Sequence, residues 1–151
     1  MNFNIRTVDD DFDLSKLRDF MLKQPQFYPE YHDWIDGVCL PGITSGNREA
    51  IVVVSDMSVV GDVIHRTNPD GTIEIRNFRI DPDYRNMDLG HFLLTQVKRA
   101  ARAKPKGRVI TDVSVQNFAG VEFFTRNGFH IEGMGELYKP GQLEYKFAWA
   151  A

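Results

Sequence analysis

The chain has 151 residues, of which 42% are hydrophobic and 26% charged, and its net charge is −3. That balance describes one soluble globular domain, 1–151, and excludes a broadly basic surface for nucleic acid. A single cysteine, Cys39, excludes an intrachain disulfide and points to a reducing compartment. With no apolar run of membrane-spanning length and no signal-peptide pattern at the start, the expectation is a cytoplasmic protein without a membrane partner.

Residues 2–8 (NFNIRTV) alternate and predict a strand. Asp11 or Asp13 is placed to cap a helix carrying Phe12, Leu14, Leu17, Phe20 and Met21. A second short helix over 29–38 would carry Tyr31, Trp34 and Ile35. Pro41, Gly42 and Gly46 predict a loop over 39–47. Three strands follow, at 50–56, 58–67 and 72–81, and the NPDG turn at 68–71 makes the last two a hairpin.

The stretch 84–94 (YRNMDLGHFLL) follows the third of these strands and opens a helix. The first N–H groups of a helix have no internal partner and carry partial positive charge, so an arginine turn at that point suits a phosphate. Leu89, Phe92, Leu93, Val97, Ala100 and Ala101 keep helical spacing, with Lys98, Arg99 and Arg102 near the end. The basic run 98–108 reads as a solvated face and loop, with a cofactor phosphate or an acidic partner as the alternative. A strand at 108–115, a helix at 117–126 stopped by Asn127 and Gly128, and strands at 129–136 and 142–149 complete the chain. Helices on both faces of one sheet would bury this α/β order well. The four histidines and Cys39 show no metal-ligand spacing, so no metal is expected.

Two motifs carry a resemblance. Arg85, Asn86, Met87, Asp88, Leu89 and Gly90 fall in the register R-x-x-G-x-G/A, preceded by Phe78, Ile80 and Pro82. Further on stand Asn117, Gly120, Phe123, Phe124, Gly128 and Phe129. In this order and spacing, over about 50–135, the chain resembles the GNAT N-acetyltransferase superfamily. The resemblance implies a mixed, mostly antiparallel sheet whose fourth and fifth strands splay apart. It also implies acetyl-CoA as donor and an amine, on a small molecule or a peptide, as acceptor. The turn formed by Arg85, Asn86, Met87, Asp88, Leu89, Gly90 and His91 would grip the pyrophosphate. Pantetheine would pair with the backbone of Phe78, Arg79 and Ile80, as an added strand does. Asn117 would bond the pantetheine arm, and Phe123 and Phe124 would line its thiol end. A homodimer is compatible with this reading.

Two residues depart from the family pattern. Asp88 stands where a glycine is usual; it either repels phosphate or caps the following helix. Phe124 stands where many members have a tyrosine acid. The resemblance further implies Glu74 as general base, six residues before Ile80 and with the same side-chain parity, its acidity weakened by partial burial. Structural pairing with Arg76 is the alternative, and His65 is the substitute base. Tyr138 would stand in as acid. Phe27, Tyr28, Tyr31 and Trp34 would wall the acceptor site or pack the core. The rival function is a catalytically degenerate module that binds acyl-CoA or a protein partner without turnover.

Overall fold

A computed structural model describes residues 2–24 and 29–151. Strand β1 (Asn4–Thr7) leads into helix α1 (Asp11–Lys23). The cap is Asp10, one residue ahead of the expected Asp11: its side chain accepts from the Asp13 N–H at 2.7 Å. Asp13 is instead buried and holds Arg6 through two bonds of 2.9 and 2.7 Å. Leu17, Phe20 and Met21 face the sheet, whereas Phe12 points to solvent.

The expected loop at 39–47 is helical. Helix α2 (Tyr31–Trp34), a π-helical turn (Ile35–Cys39) and helix α3 (Leu40–Ser45) run without a break. The wide turn is closed by Leu40 N–H to Ile35 C=O, five residues back. Such a turn accommodates Pro41, which has no N–H to donate, at the start of α3. Gly42 is no breaker here: it leaves room for the Arg48 side chain, whose Cδ a Cβ would meet at 2.9 Å. Gly46, with φ of 85°, ends the run.

Strands β2 (Glu49–Ser55), β3 (Ser58–Thr67) and β4 (Ile73–Ile80) form an antiparallel meander. The turn at 68–71 closes the β3–β4 hairpin with Asn68 N–H to Thr72 C=O at 2.8 Å. Helix α4 (Leu89–Arg102) carries the chain over to β5 (Arg108–Ser114), which is parallel to β4. Helix α5 (Phe118–Arg126), β6 (His130–Gly135) and β7 (Glu144–Ala150) complete a sheet ordered β1-β2-β3-β4-β5-β7-β6.

The sheet is packed on both faces. On one, Val53, Val63, Ile73, Ile75, Val109 and Phe147 meet Leu89, Leu93, Leu94, Val97 and Ala101 of α4 and Phe124 of α5. On the other, Ala50, Val52, Val59 and Ile64 meet Leu17, Phe20, Met21, Tyr31, Ile35 and Cys39. Each fully buried aliphatic side chain contributes roughly 1.5–3 kcal/mol against the entropy of ordering the chain. The basic run 98–108 is a largely solvated helix end and loop, as expected, with Arg99, Arg102, Lys104 and Lys106 exposed. Lys98 Nζ donates to the Asn127 carbonyl at 2.6 Å, and Arg102 lies over Trp149. No described helix is long and apolar enough to cross a membrane.

Candidate active site

The site begins with an irregularity in β4. Ile64 of β3 pairs with Asn77, yet the next residue, His65, pairs with Ile75. Arg76 is therefore an extra residue, a β-bulge that re-aims everything after it. Before it, Ile73 and Ile75 face α4; after it, Phe78 and Ile80 do. Glu74 and Ile80 thus lie on opposite faces, which corrects the parity expected for Glu74.

At the same level β4 and β5 part. Their pairing covers only Ile73, Ile75 and Glu74 against Val109, Thr111 and Ile110, while β5 goes on pairing with β7 as far as Ser114. The wedge is the splay implied by the resemblance. Phe78 fills its floor, with ring centroids 5.3 Å from Phe123 and 5.8 Å from Phe124. Asp81 N–H bonds Val60 C=O on β3 at 2.8 Å. Backbone donors alternate along a strand, so the N–H groups of Ile80 and Phe78 point to the side that β5 has left. That edge can accept an extended ligand as an added strand.

The arginine turn lies at the open end of the wedge. Asp81 caps a single 3-10 turn (Pro82–Tyr84), and the chain then passes through Arg85 to α4. Asn86 and Asp88 both adopt left-handed backbone, with φ of 66° and 59°. Asp88 makes no side-chain bond to the helix N-terminus, so the capping role is ruled out and the first amides of α4 face outward uncapped. Leu89 is buried and anchors the helix start, whereas Met87 is 41% exposed and turned outward. Gly90 is required by packing: a Cβ would stand 3.2 Å from the Phe123 ring. The His91 ring turns away to Asn127 at 3.0 Å, leaving its backbone as its contribution to the turn.

Across the wedge, Asn117 caps α5, its Oδ1 accepting from Gly120 N–H at 3.0 Å. Its exposed amide retains donors for a ligand. Phe124 is 5% exposed and packs against Phe129 and Phe147 as well as Phe78, so it is mainly a core residue beneath the wedge. Phe123 is the one of the pair that reaches the wedge.

The polar groups collect on the face opposite α4. Glu74 is an ion-pair anchor: it bonds Arg76, accepts from Asn68 at 3.0 Å, and lies 3.5 Å from Arg66. Burial alone would raise its pKa, but bonds from Asn68 and Arg76 overcome this and hold the carboxyl below its ordinary value. The weakened acidity expected of Glu74 is therefore not there. Its neighbour Asp112 shows the reverse. Partial burial pushes the Asp112 carboxyl up, and the Glu74 charge adds to this against the lowering bond from Tyr138. Asp112 follows Thr111, the last β5 residue paired with β4, and so stands at the mouth of the wedge. Tyr138 O–H donates to Asp112 Oδ2 at 2.9 Å.

A second polar chain lies behind. Tyr31 O–H donates to Asn77 Oδ1, and Asn77 Nδ2 donates to Asp62 Oδ2, both at 2.8 Å. Asp62 is fully buried, and burial pushes its pKa to about 7. Arg79 lies over the Tyr31 ring at 5.5 Å. Tyr31 is thus buried and tied into this chain, while half-buried Trp34 stacks on it at 5.9 Å. Phe27 and Tyr28 lie outside the described residues. His65 is buried with its pKa lowered by that burial, and burial pushes Cys39 up to about 12, which removes it as a nucleophile. In the one cluster of potential metal ligands among the described residues, Asp9, Asp10 and Asp13, Asp10 caps α1 and Asp13 holds Arg6.

Sequence reading missed Asp62, Asn77 and Asp112. Asp62 left a signal, a charged residue inside the apolar run 58–64. Asp112 left a weaker one, alternating with Val109, Thr111 and Val113 along a half-buried strand.

Comparison with known proteins bears on this geometry. A family model described as the acetyltransferase (GNAT) family matches residues 12–129. Comparison with the curated proteins gives no match. Among solved structures, a protein of the GNAT family from Desulfovibrio desulfuricans superposes with a TM-score of 0.81 at 18% identity, covering 99% of each chain. The ribosomal-protein-S18-alanine N-acetyltransferase of Escherichia coli gives 0.79 at 15% identity, covering 99% of this chain and 94% of that one. Arabidopsis thaliana Naa50, in complex with the bisubstrate analogue CoA-Ac-MVNAL, gives 0.74 at 14% identity, covering 100% of both.

Proposed function

The chain belongs to the GNAT acetyltransferase family, and on that premise we propose that it transfers acetyl from acetyl-CoA to a primary amine by direct attack in a ternary complex. The observation that carries this reading is the wedge between β4 and β5 with an uncapped helix N-terminus at its open end. Arg85 and the amides of Leu89, Gly90 and His91 hold the pyrophosphate. The edge of β4 at Phe78 and Ile80 pairs with pantetheine, Asn117 donates to it, and Phe123 walls its thiol end. The Phe78 N–H stabilises the oxyanion as the amine attacks the thioester carbonyl.

An amine is cationic at neutral pH and must first lose a proton. Asp112 takes it, because its carboxyl is the one at the mouth of the wedge with a raised pKa. Glu74 keeps Arg76 in place and raises Asp112 through its charge. Tyr138, bonded to Asp112, is placed to return a proton to the departing thiolate. The tetrahedral nitrogen passes its surplus proton to solvent, collapse releases the amide and CoA, and Asp112 returns its proton to Tyr138.

Calorimetric titration with acetyl-CoA tests this. Saturable binding is expected, weakened on Arg85→Ala by about 1–3 kcal/mol for a lost charged hydrogen bond. No heat of binding at millimolar cofactor would overturn it. A non-catalytic acyl-CoA module is the second reading, favoured by Asp88, whose carboxylate stands uncapped in the phosphate turn. Binding without amine-dependent thiol release would decide for that module.

A further inference from the structure

Trp34 is in contact with both Tyr31 and Arg48. It stacks on Tyr31 on one side, and the Arg48 guanidinium lies 5.7 Å from its centroid on the other. A cavity of about 400 Å³ opens there between α3 and the β3–β4 hairpin, lined by Val38, Gly42, Arg48, Arg66, Thr67 and Asn68 among others. Arg48 is only 8% exposed, and its Nη1 is enclosed without a hydrogen-bond partner among the described residues. Gly42 makes this burial sterically feasible, since any side chain there would strike the Arg48 stem.

Arg66 and Arg76 stand beside it, each with an enclosed Nε that has no partner. Glu74 is the carboxylate that answers Arg66 and Arg76, so the cluster is left strongly cationic. Burial, reinforced by the Arg76 and Arg66 charges, makes the Arg48 cation costly to hold. Arg48 and Arg66 both line the cavity, and a guanidinium pairs well with a carboxylate.

We propose that this cavity binds a carboxylate carried by the acceptor, at the end remote from the amine that is acetylated. This rests on the transferase reading above. Arg66 pairs with Glu74 across the hairpin, and Glu74 stands four residues before Phe78 on β4. The bulge at Arg76 leaves the β3 partners of Glu74 and Phe78, Arg66 and Val63, three residues apart, so at about 3.3 Å per residue the cavity begins roughly 10 Å from the carbonyl under attack. A free α-amino acid is too short to bridge that distance. An extended peptide reaches it with an acidic side chain or a terminal carboxylate at about its fourth residue.

The binding test uses glutarate with the full chain and no acetyl-CoA, following the melting temperature, with glutaramide and sodium chloride at matched ionic strength as controls. A saturable rise with glutarate alone is expected. Arg66→Gln, at a side chain 40% exposed, should weaken it about tenfold. Arg48→Met should abolish it while the chain stays folded, because the change removes a buried charge and keeps the stem. No rise, an equal rise in Arg66→Gln, or tighter binding of inorganic phosphate would overturn the proposal.

The kinetic test compares tetra-alanine with its C-terminal amide as acceptors. The carboxylate form should show a KM about tenfold lower at similar kcat, a difference that Arg66→Gln erases. Transfer with equal KM values would overturn the carboxylate assignment and leave the transferase reading standing. No thiol release with any amine, while glutarate still stabilises the chain, would overturn the transferase reading and the acceptor half of this proposal with it.

Discussion

Glu74 and Asp112 face the same side of neighbouring strands and are driven in opposite directions. Asn68 and Arg76 keep Glu74 ionised, whereas burial and the Glu74 charge favour the protonated form of Asp112. A base must give up and regain its proton near the working pH, which is why the proposed role goes to Asp112. Asp112→Asn should lower kcat by about 10²- to 10⁴-fold with cofactor affinity nearly unchanged. Glu74→Gln should cost stability and shift the pH–rate profile toward acid, since a charge that raises Asp112 is gone. Tyr138→Phe should shift it toward alkali, since a bond that lowers Asp112 is gone. Steady-state rates across pH for the three variants check this. Full activity in Asp112→Asn together with loss in Glu74→Gln would restore Glu74 as the base.

The element proposed to bind cofactor is the turn before α4, and it carries a local cost. Two non-glycine residues, Asn86 and Asp88, sit in left-handed backbone there, and Asp88 gains no cap bond in return. Asp88→Gly should therefore leave stability unchanged or slightly raised, since relief of about 1–2 kcal/mol of left-handed strain is offset by roughly 0.5–1 kcal/mol of glycine's entropy. The same change removes a negative charge beside the phosphates, so acetyl-CoA should bind more tightly, most clearly at low salt. Denaturant melts and calorimetry at two ionic strengths measure the two effects separately. Unchanged affinity at low salt would show that the carboxylate points away from the ligand. The turn itself was legible in the sequence because its arginine, helix start and Gly90 are local. The missing cap was not, because it depends on the conformation Asp88 adopts.

At the scale of the whole molecule, Asp62 ties stability to pH. Its folded pKa of about 7 lies above the ordinary 3.8. Between those values the unfolded chain has released the proton and the folded chain keeps it. The folded state then binds more protons, so stability falls as pH rises through this window. Below it there is no penalty, and above it the cost of ionising the buried group is complete. Asp62→Asn keeps an acceptor for Asn77 and removes the titration. It should flatten the pH dependence between about 4 and 7 and raise stability at pH 8 by roughly 1–3 kcal/mol, the cost of a buried unsatisfied group. Thermal melts of both proteins across pH test this; parallel curves would assign the pH dependence to other groups.

The sequence by itself determined the strands, the helices α1, α4 and α5, the hairpin at 68–71 and the phosphate turn. Each of these is written in a short window, as a period of two, a period of 3.6, or a turn residue at a fixed offset. It also carried both motifs, and with them the family. Tertiary structure alone decided which face Glu74 occupies, because the extra residue Arg76 shows itself only in pairing with β3. It alone decided that 40–45 is helical, because a π turn takes up Pro41. The polar chain from Tyr31 through Asn77 to Asp62 spans 46 residues between its first two members, beyond the reach of any local pattern. A protonation state or a buried cation is set by what surrounds the group in space, and those neighbours come from distant parts of the chain.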